Sequence, residues 1–197
     1  MMIPLVVVLI AYLLGAIPFG YLLVKLKTGA DVRTSGSGNI GATNVMRTSG
    51  RGAGMLTLLL DIAKGYAAVW IAGRLTDGDV LWMSVAVVTV MLGHAYPVFL
   101  GFKGGKAVAS VVGAFLCLTP WALGAEIIMF VVIVALTRHI SMGSIVAAAT
   151  LPFAVFMVVR APVPAVIAAV IAGAFIIYRH SSNITRLRLG TENVFKF

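Results

Sequence analysis

The sequence predicts an all-α fold: a polytopic integral membrane bundle of about seven transmembrane helices, with the N-terminus outside and the C-terminus cytoplasmic. Three observations carry this reading. Hydrophobic residues fill 61% of the 197 positions and charged residues only 11%, and the mean hydropathy is +1.08. A water-soluble domain of this length could not cover so much apolar surface, so lipid is the solvent. The apolar residues fall in runs near the length of a membrane span, and the basic residues between the runs are distributed unevenly.

The runs are 3–24, 55–73, 80–100, 107–119, 121–137, 144–159 and 163–178. The first has no basic residues ahead of it and is about 20 residues long, so it is read as a span and not as a cleaved signal. The fourth and fifth are short and only Pro120 separates them, which fits either a kinked element or a hairpin as well as two spans. With seven spans, twelve of the fifteen Lys and Arg residues fall inside: Lys25, Lys27, Arg33, Arg47, Arg51, Lys103, Lys106, Arg138, Arg179, Arg186, Arg188 and Lys196. Arg74 and Arg160 fall outside, and Lys64 lies within a span. Basic residues favour the cytoplasmic side, and an even number of spans would lose this separation. Loops 25–54, 101–106 and 138–143 and the tail 179–197 then share the cytoplasmic face, and residues 1–197 read as one membrane-embedded domain. Cys117 has no second cysteine to pair with. The net charge of +9 is assigned to orientation and to anionic headgroups or substrates, not to nucleic acid.

The inner loops hold the polar chemistry. Ser35 to Arg47 places Gly36, Gly38 and Gly41 among Ser37, Asn39, Thr43 and Asn44. Glycines let successive N–H groups turn toward one point, as a phosphate requires; a flexible linker would need neither the two Asn nor the Arg. The match to a dinucleotide fingerprint is formal only, because no strand precedes it. Gly101-Phe-Lys-Gly-Gly-Lys106 is not a P-loop, since Leu100 and Ala107 stand where Gly and Ser/Thr belong. Gly104, Gly105 and Lys106 still offer N–H groups and a cation at the expected start of a helix. Lys103 reads equally well as a positive-inside anchor.

His94 is open between a base and a hydrogen-bonded packing residue, His139 reads as interfacial, and His180 lies among Tyr178, Arg179, Ser181, Ser182 and Asn183. Asp61 and Lys64 are spaced to pair on one helix face; a structural ion pair is the default, with Lys64 lending charge to a site as the alternative. Glu126 has no obvious local partner. No Cys/His spacing suits zinc and no inner carboxylate cluster suits magnesium, so no metal and no cofactor are expected. The positions five residues after the histidines are Phe99, Ser144 and Thr185, so no histidine has the aspartate of a His-x4-Asp acyltransferase pair. Gly-x-Ser-x-Gly is missing as well.

At these residues the chain resembles the bacterial acyl-phosphate:glycerol-3-phosphate acyltransferase family. The resemblance is carried by Gly36-Ser-Gly-Asn-Ile-Gly-Ala-Thr-Asn-Val-Met-Arg47, Leu60-Asp-Ile-Ala-Lys-Gly65, Gly93-His-Ala-Tyr-Pro-Val-Phe-Leu-Gly-Phe-Lys-Gly-Gly-Lys106, Ile177-Tyr-Arg-His-Ser-Ser-Asn-Ile184 and Gly190-Thr-Glu192, in order along nearly the whole chain. It implies an enzyme of the bacterial inner membrane whose site faces the cytoplasm. Such an enzyme moves a fatty acyl group from acyl phosphate to the 1-hydroxyl of sn-glycerol 3-phosphate, giving lysophosphatidic acid and inorganic phosphate, as the first step of phospholipid synthesis. It implies that Ser37, Gly38, Asn39, Gly41 and Thr43, with Gly104, Gly105 and Lys106, hold the acyl phosphate. Arg47, Lys106, Ser144, His180 and Asn183 would hold glycerol 3-phosphate, with Ser37, Lys106 and His180 in the catalytic roles. A soluble phosphate acyltransferase would supply the donor. A transporter for organic phosphates is the alternative, disfavoured because the polar groups gather at one face and no internal repeat is visible.

Overall fold

A computed structural model describes residues 2–195; Lys196, counted above among the inside cations, lies outside the described residues. The chain divides into two compact units, Met1–Cys117 and Leu118–Phe197.

In the first unit, α1 (Met2–Ala16) and α2 (Phe19–Thr28) are parted by Ile17 and Pro18. Proline lacks the N–H that would continue the first helix. Gly29, at φ 72, closes α2 by donating its N–H to the Lys25 carbonyl at 2.9 Å. A 3-10 turn at Val32–Thr34 and the short helix α3 (Ala42–Ser49) lead to α4 (Arg51–Leu75). The 25 residues of α4 extend about 37 Å, enough to cross about 30 Å of hydrocarbon with some tilt. Helix α5 (Val80–Ala95) starts at Asp79, whose Oδ1 accepts the Leu81 N–H at 2.8 Å. A second 3-10 turn, Val98–Leu100, precedes the glycine loop and α6 (Val108–Leu118).

Glycines set the helix spacing. A Cβ on Gly15 would strike the Val90 carbonyl, and one on Gly93 the Tyr12 carbonyl, so α1 and α5 meet backbone to backbone. Gly65 and Gly113 do the same for α4 and α6, against the carbonyls of Ser110 and Ile62. Close approach through small residues is how helices pack without a hydrophobic gradient between them.

The second unit contains α7 (Pro120–Thr137), α8 (Ile140–Val159), α9 (Val163–Arg179) and α10 (Ser181–Arg188). Gly143 lets α8 lie against Val134 and Phe130 of α7, and Gly173 lets α9 approach the Ala148 carbonyl of α8. The partner of Glu126 is Thr150, whose hydroxyl donates to Oε2 at 2.8 Å across α7 and α8.

Each of the seven predicted apolar segments contains a helix, but length separates them. Among the described residues, five helical stretches are long and apolar enough to cross a membrane, or six if α9 and α10, bent by 55°, form one span. The expected count of seven therefore has no support at α6, whose eleven residues reach about 16 Å, half the hydrocarbon thickness. Pro120 sits at the first position of α7, where its missing N–H costs nothing, so residues 107–137 form two helices and not one kinked element.

Candidate functional site

Because α4 and α5 run in alternating directions, the end of α2, the start of α4, the end of α5 and the start of α6 lie at one end of the first unit. That end carries the loops 29–41 and 101–107. The first loop is anchored by its apolar residues: Val32, Ile40 and Val45 join Val24 in a small core, with Tyr21, Ala53 and Leu100 packed against it. Ser37 stays exposed between Gly36 (φ 61) and Gly38 (φ 69), two left-handed positions that suit glycine.

The buried Asn44 side chain holds this loop. Its Oδ1 accepts the Ser37 N–H at 2.8 Å, while Nδ2 donates to the carbonyls of Val32 (3.2 Å), Ser35 (3.1 Å) and Asn39 (2.8 Å). The Gly38 N–H bonds the Ser35 carbonyl at 3.1 Å, and the Gly41 N–H bonds Asn39 Oδ1 at 2.8 Å. Three N–H groups expected to face an anion are thus engaged inside the loop. Ser37 itself is exposed, and the first turn of α3 at Ala42 and Thr43 has N–H groups that lack helical acceptors. Arg47, in the last turn of α3, is exposed. Arg33 is committed elsewhere: it pairs with Asp31 at 2.6 Å and lies 5.2 Å over the Tyr21 ring. Its hydrogen bond holds the Asp31 carboxyl below the usual carboxylate range, more strongly than burial pushes it up.

In the second loop the Gly104 N–H bonds the Ala95 carbonyl at 3.1 Å and the Gly105 N–H bonds the His94 carbonyl at 3.2 Å. Lys106 does not begin the helix. Ala107, buried at φ 63, precedes Val108 and accepts the Val111 N–H at 2.9 Å, so it is the residue that caps α6. Behind this loop lies a buried polar cluster. Lys64 Nζ is 2.9 Å from Asp61 Oδ1 and donates to the Ile17 carbonyl at 2.8 Å. His94 Nδ1 is 3.7 Å from Asp61 Oδ1 and 3.2 Å from Ser110 Oγ.

In the second unit, α8 and α9 are antiparallel neighbours, which puts Ser144, one turn into α8, at the same end as His180 and Asn183. All three are buried. The Ser144 hydroxyl donates to the Ile140 carbonyl at 3.0 Å. His180 occupies the bend between α9 and α10, its Nδ1 2.7 Å from the Ile176 carbonyl; a carbonyl can only accept, so Nδ1 carries a proton. Asn183 Nδ2 donates to Glu192 Oε1 at 2.7 Å, and Arg186 Nε donates to Glu192 Oε2 at 2.7 Å. Burial alone would raise the Glu192 carboxyl, but the bonds from Asn183 and Arg186 outweigh it and hold it below the usual range. The Phe195 N–H reaches the Arg138 carbonyl at 2.7 Å, tying the tail to the turn before α8.

Each unit thus gathers its own predicted residues: Ser37 to Thr43, Arg47 and Gly104 to Lys106 in the first, Ser144, His180 and Asn183 in the second. Ser110 has no predicted role, Asn44 enters the sequence reading only as one of the two Asn of the glycine stretch, and Glu192 only as the end of the Gly190-Thr-Glu192 motif. Among the described residues no group of three or more His, Cys, Asp or Glu could hold a metal ion.

The glycerol-3-phosphate acyltransferase family profile matches residues 5–190. The glycerol-3-phosphate acyltransferase of Geobacter sulfurreducens is 47% identical over 192 residues, covering 98% of this chain and 97% of its own. That of Geotalea daltonii is 46% identical over 191 residues, covering 97% of each. Among solved structures, PlsY (YgiH), an integral membrane glycerol 3-phosphate acyltransferase, in its glycerol 3-phosphate form aligns with a TM-score of 0.93 at 41% identity, covering 98% of this chain and 96% of that one. Its lysophosphatidic acid form aligns at 0.89 and 39% identity, covering 98% and 95%.

Proposed function

The chain belongs to the glycerol-3-phosphate acyltransferase family, and from that premise we propose that it acylates the 1-hydroxyl of sn-glycerol 3-phosphate with acyl phosphate as donor. The products are lysophosphatidic acid and inorganic phosphate, which opens phospholipid synthesis. The observation that carries this reading is the match along 98% of the chain to a glycerol 3-phosphate form of PlsY, with the Ser37, Lys106 and His180 motifs all present. We place the protein in the bacterial inner membrane as one acyltransferase over residues 1–197, its N-terminus outside and its loops 25–54 and 101–106 facing the cytoplasm, where a soluble phosphate acyltransferase supplies the donor.

Acyl phosphate is a mixed anhydride with a good leaving group, so the protein needs to position it and stabilise charge; it need not form a covalent intermediate. The Ser37 hydroxyl, the Asn39 amide and the first turn of α3 hold the phosphate, with Gly38, Gly41, Gly104 and Gly105 giving the backbone its shape. Arg47, Ser144, His180 and Asn183 hold glycerol 3-phosphate. Lys106 offsets the repulsion between two anions and the charge that grows on the acyl oxygen. The donor's own phosphate accepts the hydroxyl proton as the ester forms, and the C–O bond to phosphate breaks. Offering palmitoyl phosphate and palmitoyl-CoA separately with labelled glycerol 3-phosphate tests the donor. Product from palmitoyl phosphate alone is expected, and equal product from palmitoyl-CoA overturns it.

A further inference from the structure

We propose that His94 is a positioning residue for this transfer: braced by Asp61 and Ser110, its ring is the wall against which Gly105 closes, and so it fixes the backbone that carries Lys106. The inference rests on the role proposed above for Lys106. His94 is the penultimate residue of α5 and 4% exposed. One edge of its ring is braced: Nδ1 lies 3.2 Å from Ser110 Oγ on α6 and 3.7 Å from Asp61 Oδ1 on α4. The other edge meets the loop, because a Cβ added to Gly105 would fall on Nε2.

The loop is sewn to the same helix end, Gly104 to the Ala95 carbonyl and Gly105 to that of His94. The same point lies 3.4 Å from Asn39 Oδ1, so the ring, the glycine loop and the Ser37 loop meet there. On the far side of Lys106, Ala107 keeps φ 63, a conformation that persists in a non-glycine residue only where the surroundings impose it. Lys106 is therefore held from both sides. Simple packing needs none of this: an apolar residue of similar volume would fill the place of a buried imidazole and carry no desolvation cost.

A size swap tests the inference. Gly105→Ala puts a methyl where Nε2 stands, and His94→Ala vacates that space. The purified protein in lipid is assayed with palmitoyl phosphate and glycerol 3-phosphate as His94→Ala, His94→Gln, Gly105→Ala and the double His94→Ala/Gly105→Ala. Turnover is expressed per folded molecule, and thermal midpoints are read with and without inorganic phosphate. We expect His94→Ala and Gly105→Ala each to lower kcat by about tenfold or more. His94→Gln, which still reaches the Nε2 position, should regain most of that, and the double variant should exceed Gly105→Ala. A His94→Ala kcat within twofold of wild type overturns the inference, as does full activity in Gly105→Ala. If the wild type itself makes no lysophosphatidic acid, the proposed reaction fails, and the positioning role is decided by phosphate. Phosphate should then raise the wild-type midpoint and not that of His94→Ala; equal or absent protection in both overturns it.

Discussion

Asn44 Oδ1 accepts the Ser37 N–H at 2.8 Å, so the residue that holds the serine loop in place is a buried amide seven positions away, and the serine hydroxyl is what remains for the role proposed for Ser37. Asn44 spends both ends of its side chain on the loop, and the Asn44→Ala variant leaves several buried backbone groups without partners. That should cost about 2 kcal/mol or more, seen as a lower thermal midpoint together with a reduced kcat/KM. A midpoint and kcat/KM equal to wild type would contradict the role of Asn44 as the loop's support.

Much of this was legible in the sequence. The apolar runs located every long helix because hydrophobicity along the chain is a local property, and the glycine and cation motifs marked both loops at one end of the first unit. The span count was less legible, since a run of apolar residues does not say whether it is long enough to cross: α6 has the composition of a span and half the length. Side-chain partners across helices were not legible at all. Nothing in spacing pairs Glu126 with Thr150, or His94 with Ser110, because those contacts depend on how α7 meets α8 and how α6 meets α5. Nor did glycine content reveal that the N–H groups of Ser37, Gly38 and Gly41 turn inward.

Lys106 and Ser37 should separate under mutation. Lys106→Ala removes the cation proposed to act at the reacting centre and should lower turnover by about 10²–10³. Ser37→Ala should keep weak, measurable turnover, and wild type incubated with labelled acyl phosphate should carry no label on the protein. A dead Ser37→Ala variant together with a trapped acyl-protein would mean covalent catalysis instead.

Glu192 gives a pH dependence of known sign. Its folded carboxyl lies below the ordinary value of 4.5, so its stabilisation is fully present above that value and is lost as the pH falls below it toward the folded pKa. Glu192→Gln should lower the midpoint at neutral pH by the equivalent of about 2 kcal/mol, and the gap between wild type and variant should narrow on acidification. A gap unchanged down to the acid limit would contradict the ion contacts to Asn183 and Arg186.

Two glycines of α4 and α6 should respond in opposite directions. A Cβ at Gly113 meets the Ile62 carbonyl, whereas nothing lies within 4 Å of one at Gly52. Gly113→Ala should destabilise by about 1–3 kcal/mol, and Gly52→Ala should be neutral or stabilise by up to about 1 kcal/mol. Thermal unfolding in one detergent checks both, and equal shifts would argue against backbone contact between α4 and α6.

The most direct test of the proposed reaction is its stoichiometry. Purified protein in lipid, without magnesium, receives palmitoyl phosphate and labelled glycerol 3-phosphate, and inorganic phosphate and labelled lysophosphatidic acid are counted in the same samples. Equal amounts of the two products, rising together and absent without either substrate, are what direct transfer predicts. Phosphate released without lysophosphatidic acid, or neither product from demonstrably folded protein, would contradict it.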